Sequence, residues 1–262
     1  MNRRSLSVFA PWLGMVVFLG IWELTVRLGD LKPFQLRAPS VVIRRLSEEP
    51  GFWWRNSVVT GREAMIGFAL AFLSALVIGA PLAASRFAER ATQPILVLIQ
   101  VTPFVAYAPS VVIWFGFGWR PIIFLTALAC FPLFAFAVIG GIRSTDPAAL
   151  ELFRSVDASP AETWRRLRLP SALPSLFPAA RASIGLALIV AFLAEQFALT
   201  PDGLGVIGKK GAAFNDGDLV WGTVFCMAIL GTVALASVGL AERWVLRWHA
   251  SQRGVVGYRP RS

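Results

Sequence analysis

The chain has 262 residues, of which 56% are hydrophobic and 15% charged, and its net charge is +10. A soluble domain carries about a quarter charged residues, so this composition excludes an ordinary water-soluble domain and indicates a lipid bilayer as the solvent. The Lys and Arg residues are spread over short connecting segments and do not form one continuous stripe, which argues against a nucleic-acid partner. Basic loops retained in the cytoplasm explain the charge instead.

Six windows of the sequence are apolar and long enough to cross a bilayer. About 20 mostly apolar residues span the hydrocarbon core as a helix, and a helix is required because lipid offers no partner for an open backbone N–H or C=O group. The predicted transmembrane helices are 8–26, 58–84, 94–115, 121–142, 179–199 and 219–245. The sequence therefore predicts an all-α integral membrane protein with one domain over 1–262 and a charged loop over 143–178, between the fourth and fifth spans.

The first window begins like a signal peptide, because Arg3 and Arg4 precede its apolar run. No small-x-small cleavage site follows, and Trp22, Glu23 and Arg27 lie where one is expected. We interpret this window as a retained membrane anchor. Six spans with both termini in the cytoplasm place most basic residues on the cytoplasmic side, although the basic segment after the first span runs against this orientation.

That basic segment contains a short amphipathic stretch at 39–49. Val41, Val42 and Leu46 can share one face of a helix while the charged residues stay in water. This pattern predicts a helix along the outer membrane interface. An ordinary solvated loop is the alternative.

Prolines lie inside two of the predicted spans. Pro103 and Pro109 break the third span, and Pro121 and Pro132 enter and interrupt the fourth. Broken helices occur in membranes where other protein or a cavity satisfies the freed backbone groups, so a transport pathway is one interpretation. Packing kinks without a role in transport are the alternative.

Polar residues inside the spans are candidates for a translocation pathway, because such residues are costly in lipid and mark function by default. The candidates are Gln100, Thr102, Pro103, Glu195 and Gln196. The first three lie where a broken helix exposes polar groups to a cavity. Glu195, near the outer end of the fifth span, is either a gate in the pathway or a buried hydrogen-bond partner. Arg62 and Glu63, at the start of the second span, are interpreted as interfacial.

The charged loop predicts two short helices separated by a turn. Ser144 or Thr145 can cap the first helix, with Pro147 near its first position. Ser159 is predicted to cap the second, three residues before a glutamate that completes a capping box. This second helix is expected to end before Pro170, because a proline disfavours the helical conformation in the residue before it.

The same loop is too charged to enter lipid and too apolar to lie alone in water. Its apolar side chains are Leu150, Leu152, Phe153, Trp164 and Leu167. An apolar helix face with charged flanks at a membrane surface is typical of a protein-docking site. Lipid binding is the alternative. The later connection over 200–218 is rich in glycine and polar residues and predicts a turn-forming external loop.

Between Glu151 and Pro170 the loop reads Glu-Leu-Phe, three residues, Asp157, nine residues and Leu-Arg-Leu-Pro. This pattern resembles the signature of bacterial ABC importer permeases, which is E-A-A, three residues, G, nine residues and I-x-L-P. The resemblance assigns ATPase coupling to Glu151, Leu152, Phe153, Asp157, Ala158, Leu167, Leu169 and Pro170. Short stretches such as 78–82 and 113–118 extend the resemblance along nearly the whole chain, toward the branch for nitrate, sulfonates, taurine and bicarbonate-like solutes.

Asp157 is the main departure from this signature, because it stands where the family has a glycine. That glycine usually allows a turn with positive φ. Aspartate is one of the few other residues that tolerate the left-handed conformation, so we expect the turn to be kept.

The resemblance implies a complex in the bacterial inner membrane. Two copies of the subunit would form the pore, two cytoplasmic ATPases would supply energy, and an external binding protein would deliver a small solute such as nitrate, a sulfonate or taurine. A thiamine precursor, riboflavin or another small organic solute is the alternative. The subunit itself is expected to be no enzyme and to hold no cofactor, because no Gly-x-x-x-x-Gly-Lys-Ser/Thr segment is present to bind ATP.

Two other classes of function compete with an importer subunit. A secondary transporter predicts coupling charges in several spans and internal repeats, neither of which the sequence has. A membrane scaffold without transport would show no dependence on ATP hydrolysis. An intramembrane enzyme is not expected, because one histidine and two span-located cysteines, Cys130 and Cys226, supply neither a catalytic set nor a metal site of the usual spacing.

Overall fold

The computed structural model describes residues 3–29, 32 and 35–247, and the regular elements of that part of the chain are helices. They are α1 (Arg3–Leu28), α2 (Pro39–Glu48), α3 (Pro50–Ala84), α4 (Arg86–Val101), α5 (Phe104–Phe115), α6 (Trp119–Arg143), α7 (Pro147–Ser155), α8 (Pro160–Thr163), α9 (Leu169–Ala198), α10 (Leu204–Ala213) and α11 (Gly217–Val245). A π-helical segment, Trp164–Arg168, joins α8 to α9. The predicted all-α class is confirmed.

Four helices in the described part are long and apolar enough to cross a membrane, namely α3, α6, α11 and the continuous helix Pro160–Ala198. Helices α4 and α5 pass the same test together but are bent by 96° at the short break between them. This pair replaces the predicted third span, 94–115, with either a broken span or a re-entrant loop. Helix α1 covers the first predicted span, 8–26. The count of six spans stays a prediction.

The break between α4 and α5 lies at Pro103, where the sequence predicts it. Two other prolines do not break their helices, because Pro109 lies inside a continuous α5 and Pro132 inside a continuous α6. The predictions of a break at these two positions are wrong. A proline removes one hydrogen bond from the helix ladder, and in a membrane neighbouring helices and local adjustments of the backbone can compensate for that loss.

Each of the six predicted spans begins within a helix that starts earlier than the span itself. Helix α3 starts at Pro50, eight residues before the predicted span, and α9 and α11 start at Leu169 and Gly217. The added turns of α3 are not uniformly apolar, so hydropathy does not detect them. They nevertheless bury Trp53 and Asn56, whose exposed fractions are 4% and 0%.

The chain divides into two compact units. The first comprises the described residues up to Val59 together with Pro201–Ile229. In this unit Trp22 of α1 packs edge-on against Trp221 of α11, with 5.2 Å between the ring centroids. Such aromatic pairs bury a large apolar area and add about 0.5–1.5 kcal/mol beyond it.

Helix α2 lies at the predicted amphipathic stretch, and a helix there is confirmed. Val42 is fully buried. The hydroxyl and backbone N–H of Ser40 donate to the carboxylate of Glu23 in α1, at 2.7 and 3.0 Å, and Arg27 pairs with the same carboxylate at 2.7 Å. Polar contacts therefore tie α2 to the end of α1.

The predicted loop over 200–218 contains a helix, α10, so the prediction of a turn-forming connection is wrong. Leu204 and Ile207 are spaced by three residues and are buried on one face. The backbone N–H of Gly203 donates to the Asn56 side-chain oxygen at 2.8 Å as the helix begins. Composition misled here because the two buried apolar positions are outnumbered by glycine and polar residues.

The second unit comprises Thr60–Thr200 and the described residues from Leu230 onward. In it Phe134 of α6 packs against two phenylalanines of α3, with ring centroids 5.2 and 5.4 Å apart. Helix α6 also packs along α9. The two approach closely at Gly141, where an added Cβ would lie 2.8 Å from the Cα of Ala172.

We expect Gly141→Ala to lower the thermal unfolding midpoint of the purified protein in detergent, because overpacking at a close helix contact costs about 1–3 kcal/mol. Gly140→Ala is the matched control, since a Cβ at that position meets open space and helix propensity favours alanine by about 1 kcal/mol. Equal midpoints for the two variants would contradict the close approach of α6 and α9.

Candidate functional site

The first part of the candidate site is the short helix α7, which begins the loop after α6. Its N-cap is Asp146, whose carboxylate accepts a hydrogen bond from the backbone N–H of Ala148 at 3.0 Å. The predicted cap at Ser144 or Thr145 is wrong, because both hydroxyls donate back to carbonyls at the end of α6, at 2.8 and 2.7 Å. These bonds join α7 to α6 through a connection of three residues.

Helix α7 ends in a Schellman motif centred on Asp157. The backbone N–H of Asp157 donates to the carbonyl of Arg154 at 3.1 Å, and that of Ala158 donates to Phe153 at 3.0 Å. Asp157 has φ of +50°, the left-handed conformation that this motif requires at that position. The expectation that aspartate keeps the turn is confirmed.

The second helix of the loop starts as predicted but does not stop as predicted. The Ser159 hydroxyl accepts from the backbone N–H of Glu162 at 3.2 Å, so Ser159 is the N-cap. The helix then continues through the π-helical segment into α9, and the expected end before Pro170 is wrong. The backbone N–H of Leu169 reaches the carbonyl of Trp164, five residues back. This wider turn accommodates a proline that has no N–H and crowds the preceding turn.

The loop exposes an apolar patch made by Leu152 and Val156, with Phe153 half-buried beside them. Leu152 and Val156, one helical turn apart, have exposed fractions of 63% and 67%. Glu151 and Asp157 beside them are also exposed. The other predicted coupling residues, Ala158, Leu167, Leu169 and Pro170, are half-buried. Apolar side chains grouped in this way on a polar surface are typical of an interaction site.

The predicted pathway residues fall into two different environments. Gln100, Thr102 and Pro103 are exposed at the 96° break between α4 and α5. The Thr102 hydroxyl donates to the carbonyl of Leu98 at 2.7 Å, which closes the last turn of α4. Glu195 is instead buried, with 1% of its surface exposed, and Gln196 is half-buried.

Glu195 belongs to a buried polar cluster between α3 and α9. The Thr60 hydroxyl donates to its carboxylate at 2.6 Å, and the Glu63 side chain lies beside the same carboxylate. The second oxygen of Glu63 is buried without a hydrogen-bond partner.

Sequence reasoning missed Glu63, because the interpretation of this residue as interfacial is wrong. Its exposed fraction is 1%. A signal was present in α3, where Asn56, Thr60, Glu63 and Gly67 recur at intervals of three and four residues. That spacing places polar and small residues on one helix face, and all four are buried.

Three features together define a multi-pass membrane permease. They are the long apolar helices, the span broken at a proline and the capped surface loop between α6 and α9. The chain belongs to the family described as binding-protein-dependent transport system inner membrane component, which matches residues 67–247. The predicted membership of the ABC importer permeases is confirmed.

Three relatives cover nearly the whole chain. The formylaminopyrimidine transport permease protein ThiX of Halalkalibacterium halodurans is 28% identical over 95% of this chain and 100% of its own. The riboflavin transport system permease protein RibX of Chloroflexus aurantiacus is 31% identical over 95% of both chains. The putative aliphatic sulfonates transport permease protein SsuC of Escherichia coli is 30% identical over 94% of both.

Two solved structures share the fold. An inward-facing form of the MetNI methionine ABC transporter gives a TM-score of 0.65 at 20% identity, over 75% of this chain and 98% of that one. A bacterial alginate ABC transporter, in complex with a periplasmic protein bound to an alginate pentasaccharide, gives a TM-score of 0.56 at 16% identity, over 92% and 97% of the two chains. The fold is therefore that of an ABC permease.

We expect Asp157→Gly to stabilise the turn after α7, because glycine adopts positive φ without the strain of about 1 kcal/mol that other residues carry there. Hydrogen exchange of a peptide covering 153–158, followed by mass spectrometry, should slow by up to about fivefold. Asp157→Val should exchange faster than the unsubstituted protein, since β-branched residues are poor in this conformation. Identical rates in all three proteins would contradict the Schellman geometry.

We expect Glu195→Gln to preserve the polar cluster, because an amide can both accept from Thr60 and donate to Glu63. Glu195→Leu removes the group to which both side chains bond, and a lost partner costs about 1–3 kcal/mol for each buried polar group. Thermal unfolding in detergent should therefore rank the leucine variant well below the glutamine variant. Equal midpoints would show that this cluster does not stabilise the packing of α3 on α9.

Proposed function

We propose that two copies of this chain form the translocation pore of an ATP-driven importer in a bacterial inner membrane, with both termini in the cytoplasm. Two cytoplasmic ATPases would bind and hydrolyse ATP, and an external binding protein would deliver the solute. The observation that carries this proposal is the α7–α8 loop, which combines the family spacing with an exposed apolar patch on a defined turn. The binding-protein partner is supported by the family description and by the alginate importer, which was solved with a periplasmic protein.

The loop would act by docking α7 into a groove on the ATPase. Leu152 and Val156 supply apolar contact area, and Glu151 and Asp157 flank it with charge that can set the orientation. The N-cap at Asp146 and the turn at Asp157 fix both ends of α7. A helix held at both ends loses little conformational freedom on docking, which favours affinity.

The pathway would run past the break between α4 and α5. A helix that turns by 96° leaves backbone groups near Thr102 and Pro103 without helix partners, and such groups are tolerated in a membrane where they line a cavity. Gln100 lies on the same stretch. Glu195, Gln196 and Glu63 would contribute from within the protein, as a gate near the outer end of α9.

The solute is proposed to be small, such as nitrate, a sulfonate or taurine. The sulfonate permease is similar to this chain at 30% identity. A thiamine precursor or riboflavin is the second candidate, supported by the formylaminopyrimidine and riboflavin permeases at 28% and 31% identity. Calorimetric titration of the cognate binding protein with taurine, formylaminopyrimidine and riboflavin would separate these candidates, because that protein is expected to select the solute.

We expect Leu152→Arg to abolish co-purification of the ATPase after detergent extraction. A buried charge at an apolar contact that anchors an interface costs about 2 kcal/mol or more, which weakens binding at least about 30-fold. Phe214→Arg is the matched control, since Phe214 is equally apolar and 81% exposed but lies outside the loop. Retention of the ATPase by the Leu152 variant, with ATP-driven uptake intact, would overturn the docking role of the loop.

A further inference from the structure

We infer that the ion pair between Glu89 of α4 and Arg143 of α6 transmits movement of the coupling loop to the helix that leads into the break at Pro103. The inference rests on the proposed function, because it needs an ATPase that moves the loop. Glu89 and Arg143 are then positioning residues for transport. Neither residue lies in the loop signature or among the predicted pathway residues.

The first step is that α7 is joined firmly to the end of α6. Ser144 and Thr145 both donate to carbonyls of the last turn of α6, and Thr145 is buried with 5% of its surface exposed. One helical turn earlier, α6 is held against α9, where the Ser175 hydroxyl donates to the carbonyl of Ala137 at 2.9 Å. A displacement of α7 therefore carries the end of α6 with it.

The second step is the position of Arg143 at the end of α6 that is joined to α7. Arg143 is the last residue of α6, and its guanidinium pairs with the carboxylate of Glu89 in the first turn of α4. The two side chains are partly buried, with exposed fractions of 34% and 23%, so water screens the pair less than a surface pair. An acid near a helix N-terminus and a base at a helix C-terminus each interact favourably with their own helix dipole.

The third step is that α4 can carry a displacement at Glu89 to the break at Pro103. Helix α4 runs continuously from Arg86 through Pro94 to Val101 and ends at the break, so a displacement at Glu89 reaches the break through a helix about 20 Å long. Apolar packing of α4 on α6 is non-directional and permits sliding, whereas an ion pair fixes one point of contact. Of the ion pairs among the described residues, this is the one that joins α4 to α6.

The test uses the full complex of the permease with its ATPase in lipid nanodiscs. One spin label is attached through Val101→Cys, a position 66% exposed at the end of α4, after the buried Cys130 and Cys226 are replaced by alanine. The distance between the labels of the two copies is measured by double electron–electron resonance. The measurement is made without nucleotide and with Mg-ATP plus vanadate.

We expect the nucleotide to shift this distance, and Glu89→Gln or Arg143→Gln to remove more than half of the shift while the ATPase stays bound and hydrolyses ATP. The exchange of charges, Glu89→Arg with Arg143→Glu, should restore at least half of it, a rescue that a loss of folding would not show. Glu242→Gln is the matched control, since it removes the ion pair of Arg181 and Glu242 between α9 and α11 and should leave the shift intact.

The inference would be overturned by an unchanged shift in both single variants, by a shift that the exchanged pair does not restore, or by no shift in the unsubstituted complex. Loss of the shift in the Glu242 variant would also overturn it, because removal of another ion pair of the second unit would then have the same effect as removal of the Glu89–Arg143 pair. Failure of the ATPase to co-purify with the unsubstituted permease is a different result. That outcome would overturn the proposed function, and the inference with it.

Discussion

The close packing of α6 against α9 is the contact on which the surface loop depends. Gly141 leaves no room for a side chain beside Ala172, and Ser175 bonds across to the carbonyl of Ala137. The loop leaves α6 and returns to α9 just beyond this contact, so both of its ends are held at a fixed separation. Without that constraint, α7 would be a nine-residue helix too short to be stable alone.

The features that the sequence predicts correctly are those set by local chemistry. The break at Pro103 follows from a ring without an N–H, the N-cap at Ser159 from a hydroxyl placed before a proline, and the turn at Asp157 from a residue that tolerates positive φ. The long apolar helices follow from the demand of lipid for internal hydrogen bonding. Each of these causes acts within a few residues, so a single sequence is enough to reveal it.

Three of the features that the sequence does not predict depend on contacts between distant segments. Glu63 lies beside Glu195, which is on another helix more than a hundred residues along the chain. Hydropathy alone places Glu63 at a membrane surface. Pro132 lies inside an unbroken helix, where it is buried in the packing of α6. Helix α10 is also not predicted, because the few apolar residues on its buried face are outnumbered by glycine and polar residues. Tertiary packing decides all three.

The π-helical segment between α8 and α9 has a consequence for how this chain can vary. One extra residue in a helical turn rotates everything before it by about 100° relative to a regular α-helix. The direction in which α8 faces is therefore set by the number of residues in Trp164–Arg168 more than by their identities. Point substitutions in this stretch preserve the phase of the helix, whereas the loss or gain of one residue would turn the loop to present a different side.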